Sequence, residues 1–387
     1  MKNIVLVLIV FVSIGANCQN RQLSSLSQIS IITCGPYQGE LYSAFGHTAI
    51  RVFDGNDGLN VVYNYGVFDF DQPNFYLNYT RGLLYFKLGV MSYIDFRNYY
   101  MYYNRSVVEQ VLDLTPSQKQ TIFDYLEWNA KPENDTYRYD YFFNNCSSKV
   151  RDVFAQVLGD SIKFDDSHIT TDYTIRQITD LCLKQQPWGD LGIDICLGLP
   201  MDKKATPNEY MFLPEYLEAG FDHASINKNG EMVPIVQFKK PVYVPVPQVE
   251  PKSFIHPWIA FGIFFTLAIG LCVYDLRRKK ISKWFDLLVF GITGLVGLLL
   301  VVLWTATDHQ AAAKNFNILW ALPTNLFVVV IYRERSANFL RKYFSVAAII
   351  WTLLLISWFF LPQQLHIFLL PFVAALLFRA FTLTRLL

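Results

Sequence analysis

Hydrophobic and polar positions alternate in short runs over the first part of the chain, then give way to long apolar blocks. Gln28 to Cys34 reads as a strand closed by Gly35-Pro36. His47 to Phe53 alternates as a half-buried strand, Asp54-Gly55-Asn56-Asp57-Gly58 as a hairpin turn, and Asn60 to Gly66 as the returning partner. Phe68 to Asn78 is an aromatic, acidic loop, and Leu83 to Met91 and Ser106 to Leu114 are further strands. Thr115 as N-cap, with Pro116 at the first helical position, predicts a helix to about Asn129. The aromatic run Tyr139 to Phe143 breaks at Asn144-Asn145, and Cys146 opens a helix ending near Leu158. Asp172 to Lys184 looks helical, whereas Pro200 to Leu217, with Tyr210, Phe212 and Tyr216, reads as a covering arm. Val233 to Lys252 carries Pro241, Pro245, Pro247 and Pro251, which predicts a stiff, extended spacer.

Beyond the spacer the blocks predict five spanning helices, near 256–276, 284–304, 317–332, 343–361 and 366–384. The loop after the first carries Arg277, Arg278, Lys279, Lys280 and Lys283, and the loop after the third Arg333, Arg335, Arg341 and Lys342. The positive-inside rule makes these loops cytoplasmic and puts the first domain outside the cytoplasm. Met1 to Cys18 agrees: Lys2, an apolar core from Ile4 to Ile14, and the small-residue region Gly15-Ala16-Asn17-Cys18 read as a cleaved export signal. The expected organisation is a signal peptide (1–18), an exported catalytic domain (23–232), a linker (233–253) and a transmembrane domain (254–387). The protein is thus expected in a bacterial inner membrane, multi-pass, with its N-terminal domain in the periplasm.

Composition narrows the chemistry. A formal net charge of +1 gives no footprint for nucleic acid. The six cysteines form no CxxC or His/Cys cluster, so neither a metal nor another cofactor is expected. Cys182 and Cys196 are close enough in sequence for a disulfide, a matter of geometry that sequence leaves open.

Two stretches carry the candidate chemistry. Cys146 sits where a helix begins, and the unpaired N–H groups and positive dipole there favour a thiolate. His47 begins a strand directly after a glycine. A thiol at a helix N-terminus and a histidine on a strand are the minimum for a papain-like nucleophile and base, with backbone N–H groups to receive an oxyanion. A third polar group must hold the imidazole. Asn64 on the returning strand suits that role, and Tyr63 or Tyr65 would serve if the register slips by one. Asp308, His309, Asn315 and Asn317 lie in a loop between predicted spans, at the membrane surface facing the exported domain.

In papain-like order the cysteine precedes the histidine; here His47 precedes Cys146. Gly46-His47-Thr48-Ala49 and Asn144-Asn145-Cys146-Ser147 resemble the circularly permuted papain-like folds (NlpC-type), the group that includes lecithin retinol acyltransferase. More closely, Ser43 to Val52, Tyr63-Asn64-Tyr65-Gly66, Asn145-Cys146-Ser147-Ser148, Arg151-Asp152 and Thr307-Asp308-His309 resemble the Lnb-type lipoprotein N-acyltransferases. That resemblance implies an α+β fold, a permuted papain-like domain followed by an all-α membrane bundle of about five helices. It implies an acyltransferase with Cys146 as nucleophile and His47 as general base, Asn64 completing the set. Substrate contacts are expected at Asn145, Ser147, Asp308 and His309. The expected donor is a membrane phospholipid, and the expected acceptor is the N-terminal amine of a lipoprotein's diacylglyceryl-cysteine. A membrane-tethered cysteine peptidase or amidase of cell-wall peptides is the alternative enzyme, and an envelope scaffold the non-enzymatic one.

Overall fold

The computed structural model describes residues 21–68, 71–247, 255–331 and 337–387, so the segment read as a signal, 1–18, lies outside it. The first domain is built on β1 (Gln28–Cys34), β2 (His47–Asp54), β3 (Leu59–Val67), helix α1 (Phe75–Thr80), β4 (Leu84–Ser92), α2 (Tyr93–Tyr102) and β5 (Val107–Leu112). It continues through α3 (Pro116–Asn129), β6 (Thr136–Tyr139), α4 (Cys146–Leu158), β7 (Ile162–Lys163), α5 (Ile175–Leu183) and α6 (Pro187–Cys196). Short helices α7 (Pro207–Tyr210) and α8 (Pro214–Asp222) precede β8 (Ser225–Lys228), β9 (Glu231–Pro234) and β10 (Val236–Tyr243).

One seven-stranded sheet runs in the order β10-β5-β1-β2-β3-β4-β6, all its pairings antiparallel. Successive side chains of a strand point to opposite faces, and this sheet is covered on both. Ile29, Ile31, Ile50, Val52, Tyr63 and Tyr65 meet α3, α4 and α8 on one face through Phe123, Phe154 and Phe221. Ile32, Cys34, Ala49 and Val62 meet Phe96 and Tyr100 of α2 on the other. The two hairpin strands fall as the alternation predicts, and α3 begins with Thr115 and Gln118 in a reciprocal capping box.

Two elements differ from expectation. The proline-rich stretch is not spacer throughout: Val236–Tyr243 is the edge strand of the sheet, paired on one side only with β5. An edge tolerates Pro241 because the missing N–H can face away from the partner. Only the chain beyond it links the domains, and residues 248–254 of that link lie outside the described ones. The supposed covering arm is core instead, since Tyr210, Phe212 and Leu213 are buried against Ile175, Ile178 and Met201. Cys182 and Cys196 are both free thiols.

The second domain contains α9 (Pro257–Arg278), α10 (Lys283–Thr305), α11 (Asn325–Ile331), α12 (Ala337–Ser357) and α13 (Leu370–Leu386). Among the described residues, four helices are long and apolar enough to cross a membrane: Pro257–Arg278, Lys283–Thr305, Ala337–Ser357 and Ile367–Leu386. The span expected near 317–332 is not one continuous helix. Phe316–Leu319 is a single 3-10 turn, and the chain turns helical again only after Pro323, as α11. A proline cannot continue a helix from the turn before it. Gly294 and Gly297 of α10 admit this backbone, for a Cβ on Gly297 would lie 1.9 Å from the Ala321 carbonyl oxygen. Buried Asn325 is satisfied by Thr293 and by the Tyr343 hydroxyl. Irregular backbone at membrane depth is tolerable when protein encloses it in this way. At the far end of the bundle, Arg379 of α13 pairs with Asp286 of α10 and Asp275 of α9, locking three helices together.

The two domains are tightly joined. The last carbonyls of α6 have no partners within their own helix. The side chains of Asn315 and Asn317 donate to the Ile195 carbonyl, Asn315 also to that of Cys196, and Gln363 to that of Leu197. The Gly198 N–H donates to the Ala311 carbonyl at 2.7 Å, and His366 meets Asp190 at 3.1 Å. Arg176, wholly buried, braces this segment by pairing with Asp194 and Asp202.

Candidate active site

The site forms at one end of the sheet, where β2 begins, β3 ends and α4 starts. Asn145 makes that start. Its Oδ1 accepts from the Ser147 and Ser148 N–H groups at 2.9 and 3.0 Å, while the Ser148 hydroxyl receives the Asn145 N–H at 2.8 Å. Its Nδ2 donates to the carbonyls of Tyr141 and Phe212 at 2.9 and 2.8 Å, which anchors the turn to the neighbouring layer. Cys146 is the first residue of α4 and is partly exposed, whereas Val150, Val153 and Phe154 on the same helix are buried in the core. A short, well-anchored helix therefore holds the sulfur at a fixed place at its positive end.

His47 is set by its preceding residue. Gly46 has φ +80°, and a Cβ there would approach the Cys34 carbonyl oxygen to 2.9 Å. Only glycine turns the chain so closely into β2. The imidazole lies over Tyr100 with ring centroids 6.0 Å apart and planes 13° from parallel, and Phe96 is 6.3 Å away. His47 Nε2 is 2.6 Å from Asn64 Oδ1. With that nitrogen occupied, Nδ1 is the one left to face the thiol.

The electrostatics follow from these contacts. Burial pushes the Cys146 thiol up, but the charge of His47, its hydrogen bond, the Thr48 N–H and the Ser147 hydroxyl more than offset this and lower it to about 7. Burial disfavours the imidazolium of His47; the Cys146 charge and the hydrogen bonds to Cys146 and Asn64 outweigh it and raise the histidine above its ordinary value. Each partner favours the charged form of the other. Such a pair can attack a carbonyl as thiolate and deliver a proton to a leaving group.

The other expected site residues have different positions. The Asn145 side chain is fully used by the helix cap. Ser147 is wholly buried, its hydroxyl 3.2 Å from that of Thr48. Both hold Cys146 in place. Tyr63 and Tyr65 point to the opposite face, donating to Glu127 and, at 2.6 Å, to Asn129. Asp308 pairs with Arg138 at 3.2 Å and its N–H donates to the Arg81 carbonyl at 2.8 Å. His309 Nε2 lies 3.2 Å from the Tyr79 carbonyl oxygen. These two residues dock the first domain onto the membrane domain beside the site: Arg138, the partner of Asp308, adjoins Tyr139, and a Cβ on Gly66 would meet both the Tyr139 ring and Cys146 within 3.7 Å.

Sequence reasoning missed Arg105 and Tyr100. Arg105 is buried, donates to the Gly35 carbonyl at 2.7 Å, and lies over the Tyr100 ring, 4.6 Å from its centroid. Its charge opposes the imidazolium of His47. Nothing local marks either residue, because the sheet fold alone brings α2 and its following turn to β2. Among the described residues no group of His, Cys, Asp and Glu could hold a metal ion.

Comparison with known proteins adds two matches. Residues 18–180 match the Lnb N-terminal periplasmic domain, and residues 249–387 match the Lnb transmembrane domain. No curated protein and no solved structure matches the chain.

Proposed function

The chain belongs to the Lnb family, a periplasmic domain followed by a transmembrane one, and from that premise we propose that it is a lipoprotein N-acyltransferase of the inner membrane. The observation that carries the reading is the Cys146–His47–Asn64 arrangement on a domain docked directly onto a membrane bundle.

The reaction has two halves. The Cys146 thiolate attacks an ester carbonyl of a phospholipid, and the N–H of Cys146, the one at the start of α4 that Asn145 does not occupy, receives the oxyanion. The intermediate collapses as the imidazolium of His47 protonates the departing alkoxide, which leaves as a lysophospholipid, and an acyl thioester remains on Cys146. The amine of a lipoprotein's diacylglyceryl-cysteine then attacks the thioester. His47 takes the amine proton, the C–S bond breaks, and an amide and the free thiolate result. Asn64 keeps the ring oriented throughout. Metal or cofactor has no step in this sequence. A peptidase using the same pair would gain nothing from a site held against a bilayer, where both lipid substrates reside.

The test is intact mass of the purified protein after incubation with phospholipid, wild type beside Cys146→Ala. The expected result is a hydroxylamine-labile acyl adduct mapped to Cys146, absent from the variant and discharged by a diacylglyceryl lipopeptide with gain of one acyl chain. A wild-type protein that leaves both phospholipid and lipopeptide unaltered overturns the proposal.

A further inference from the structure

Helix α1 is six residues long, and none of its residues is buried. A helix so short is not stable alone in water. Its outward residues are nonetheless apolar or aromatic, Tyr76 being 74% exposed, Leu77 56% and Tyr79 45%. The helix Phe75-Tyr76-Leu77-Asn78-Tyr79-Thr80 carries no charge. An exposed apolar surface of this kind marks a contact with something outside the chain.

The contacts of α1 fix its height. The carbonyls of Tyr79 and Arg81 meet His309 and the Asp308 N–H, in the turn that begins directly after the spanning helix α10 ends at Thr305. Gly82 makes the approach possible, since at φ +76° a Cβ would stand 2.9 Å from the backbone of Asp308 and His309. Trp304 and Trp258, both exposed, lie at the same end of the bundle, as an interfacial aromatic belt requires. Arg81 stands exposed at the end of α1.

A wall of rings leads inward from α1. The Tyr141 hydroxyl meets that of Tyr79 at 2.7 Å, Tyr141 is edge-on to Tyr139 at 5.6 Å, and Tyr139 stacks on Phe86 at 4.2 Å. Tyr139 in turn lies beside Cys146, for a Cβ on Gly66 would stand 3.7 Å from the Tyr139 ring and 3.6 Å from the Cys146 Cβ.

We infer that α1 lies in the headgroup–acyl boundary of the periplasmic leaflet and that the Tyr79–Tyr141–Tyr139 wall guides a phospholipid's acyl ester from there to Cys146. An uncharged aromatic helix beside an exposed arginine fits a phospholipid surface, with tails against the rings and phosphate by the cation. The second half of this inference rests on the reading of Cys146 as the acyl-accepting thiol.

The test separates the two halves. Full-length Cys146→Ala protein is placed in phosphatidylethanolamine–phosphatidylglycerol vesicles containing a trace of phospholipid with a mid-chain diazirine, irradiated and mapped. Label on peptide 75–80 as well as on the spanning helices is expected, and Tyr76→Glu with Leu77→Glu removes it from α1 alone. With Cys146 intact, the same double substitution lowers acylation from vesicle phospholipid, relative to acylation by a water-soluble short-chain thioester, at least tenfold. Spanning helices that label while α1 does not would overturn the inference, as would an unchanged donor ratio. Labelling of α1 in a protein whose Cys146 never acquires an acyl group would instead defeat the catalytic reading and leave the membrane contact standing.

Discussion

Replacing His47 by alanine tests the central pair without any need for lipid. In the intact site the thiol is brought from an ordinary value of 9.0 to about 7 against the effect of burial. A shift of that size is about 2.7 kcal/mol of preferential stabilisation of the thiolate. At pH 7 it changes the thiolate fraction from about one in a hundred to about one half, so alkylation by iodoacetamide should slow about fifty-fold in His47→Ala. The drop should be larger if burial, no longer opposed, carries the thiol above 9. Among the described residues the other thiols will not obscure the reading: burial raises Cys34 and Cys196, and Cys182 is raised to about 12. Cys272 is buried in the membrane bundle. The assay is the pH dependence of carbamidomethylation at Cys146, followed by peptide mass in wild type and variant. The sign is fixed: the wild-type rate should rise as pH passes through about 7, and the variant's only above 9. A wild-type midpoint near 9, or a profile that ignores His47, would refute the ion-pair argument.

Asn64→Ala removes a hydrogen bond to a group that becomes charged, worth about 1.5–3 kcal/mol, so acylation of Cys146 should fall about ten- to a hundred-fold with little change in melting temperature. Asn64→Asp should restore the rate in part and shift the alkaline limb of its pH profile upward. Asn145→Ala should act on stability instead, because it deletes an N-cap, about 1 kcal/mol, and strands the buried Phe212 carbonyl at about 1–3 kcal/mol; a thermal midpoint within a degree of wild type would contradict this. Asp180 is raised to about 8 by burial and by Asp194 and Asp190. A carboxyl raised in the folded state stabilises fully below its unfolded value of 3.8, and that contribution is lost as pH rises through about 8. Asp180→Asn should therefore melt higher than wild type at pH 8.5 and no higher at pH 4, by thermal scans in detergent at both pH values.

What was legible in the sequence was what is encoded locally. The turn at Asp54 to Gly58 brackets two alternating strands, and Thr115-Pro116 and Asn145-Cys146 carry their caps within a few residues of the helices they start. His47 and Cys146 could be singled out because each opens an element at such a boundary, and Asn64 because the hairpin returns it beside β2. Tyr100 and Arg105 could not, since their value depends on α2 folding across the sheet from β4. Helix α2 itself follows β4 without a break, and its aromatic residues fit a strand as well as a helix; only the Ser92 cap distinguishes it. The third apolar block was found from hydropathy, but its interruption was not. Hydropathy reports how much apolar surface a segment has, but Pro323 and the two glycines of α10 decide whether it crosses as a helix.

That interrupted crossing bears on how the site works. An intact helix in place of residues 313–324 would carry its backbone hydrogen bonds internally and offer nothing to α6. Because the segment is irregular, Asn315 and Asn317 are free to cap the Ile195 carbonyl, and Trp320 in turn fixes Asn317. The polar groups of the membrane domain are thus satisfied by the periplasmic domain, and those of α6 by the membrane domain. Separating the two would expose unpaired amides and carbonyls on both sides, at about 1–3 kcal/mol for each that stays buried. A flexible tether would let the thiol wander relative to the bilayer, whereas this junction sets its height. In the proposed reaction, bringing an acyl ester within bonding distance of Cys146 requires that height to be constant. The broken helix is therefore the part of the membrane domain that a simple anchor would lack and that the proposed function requires.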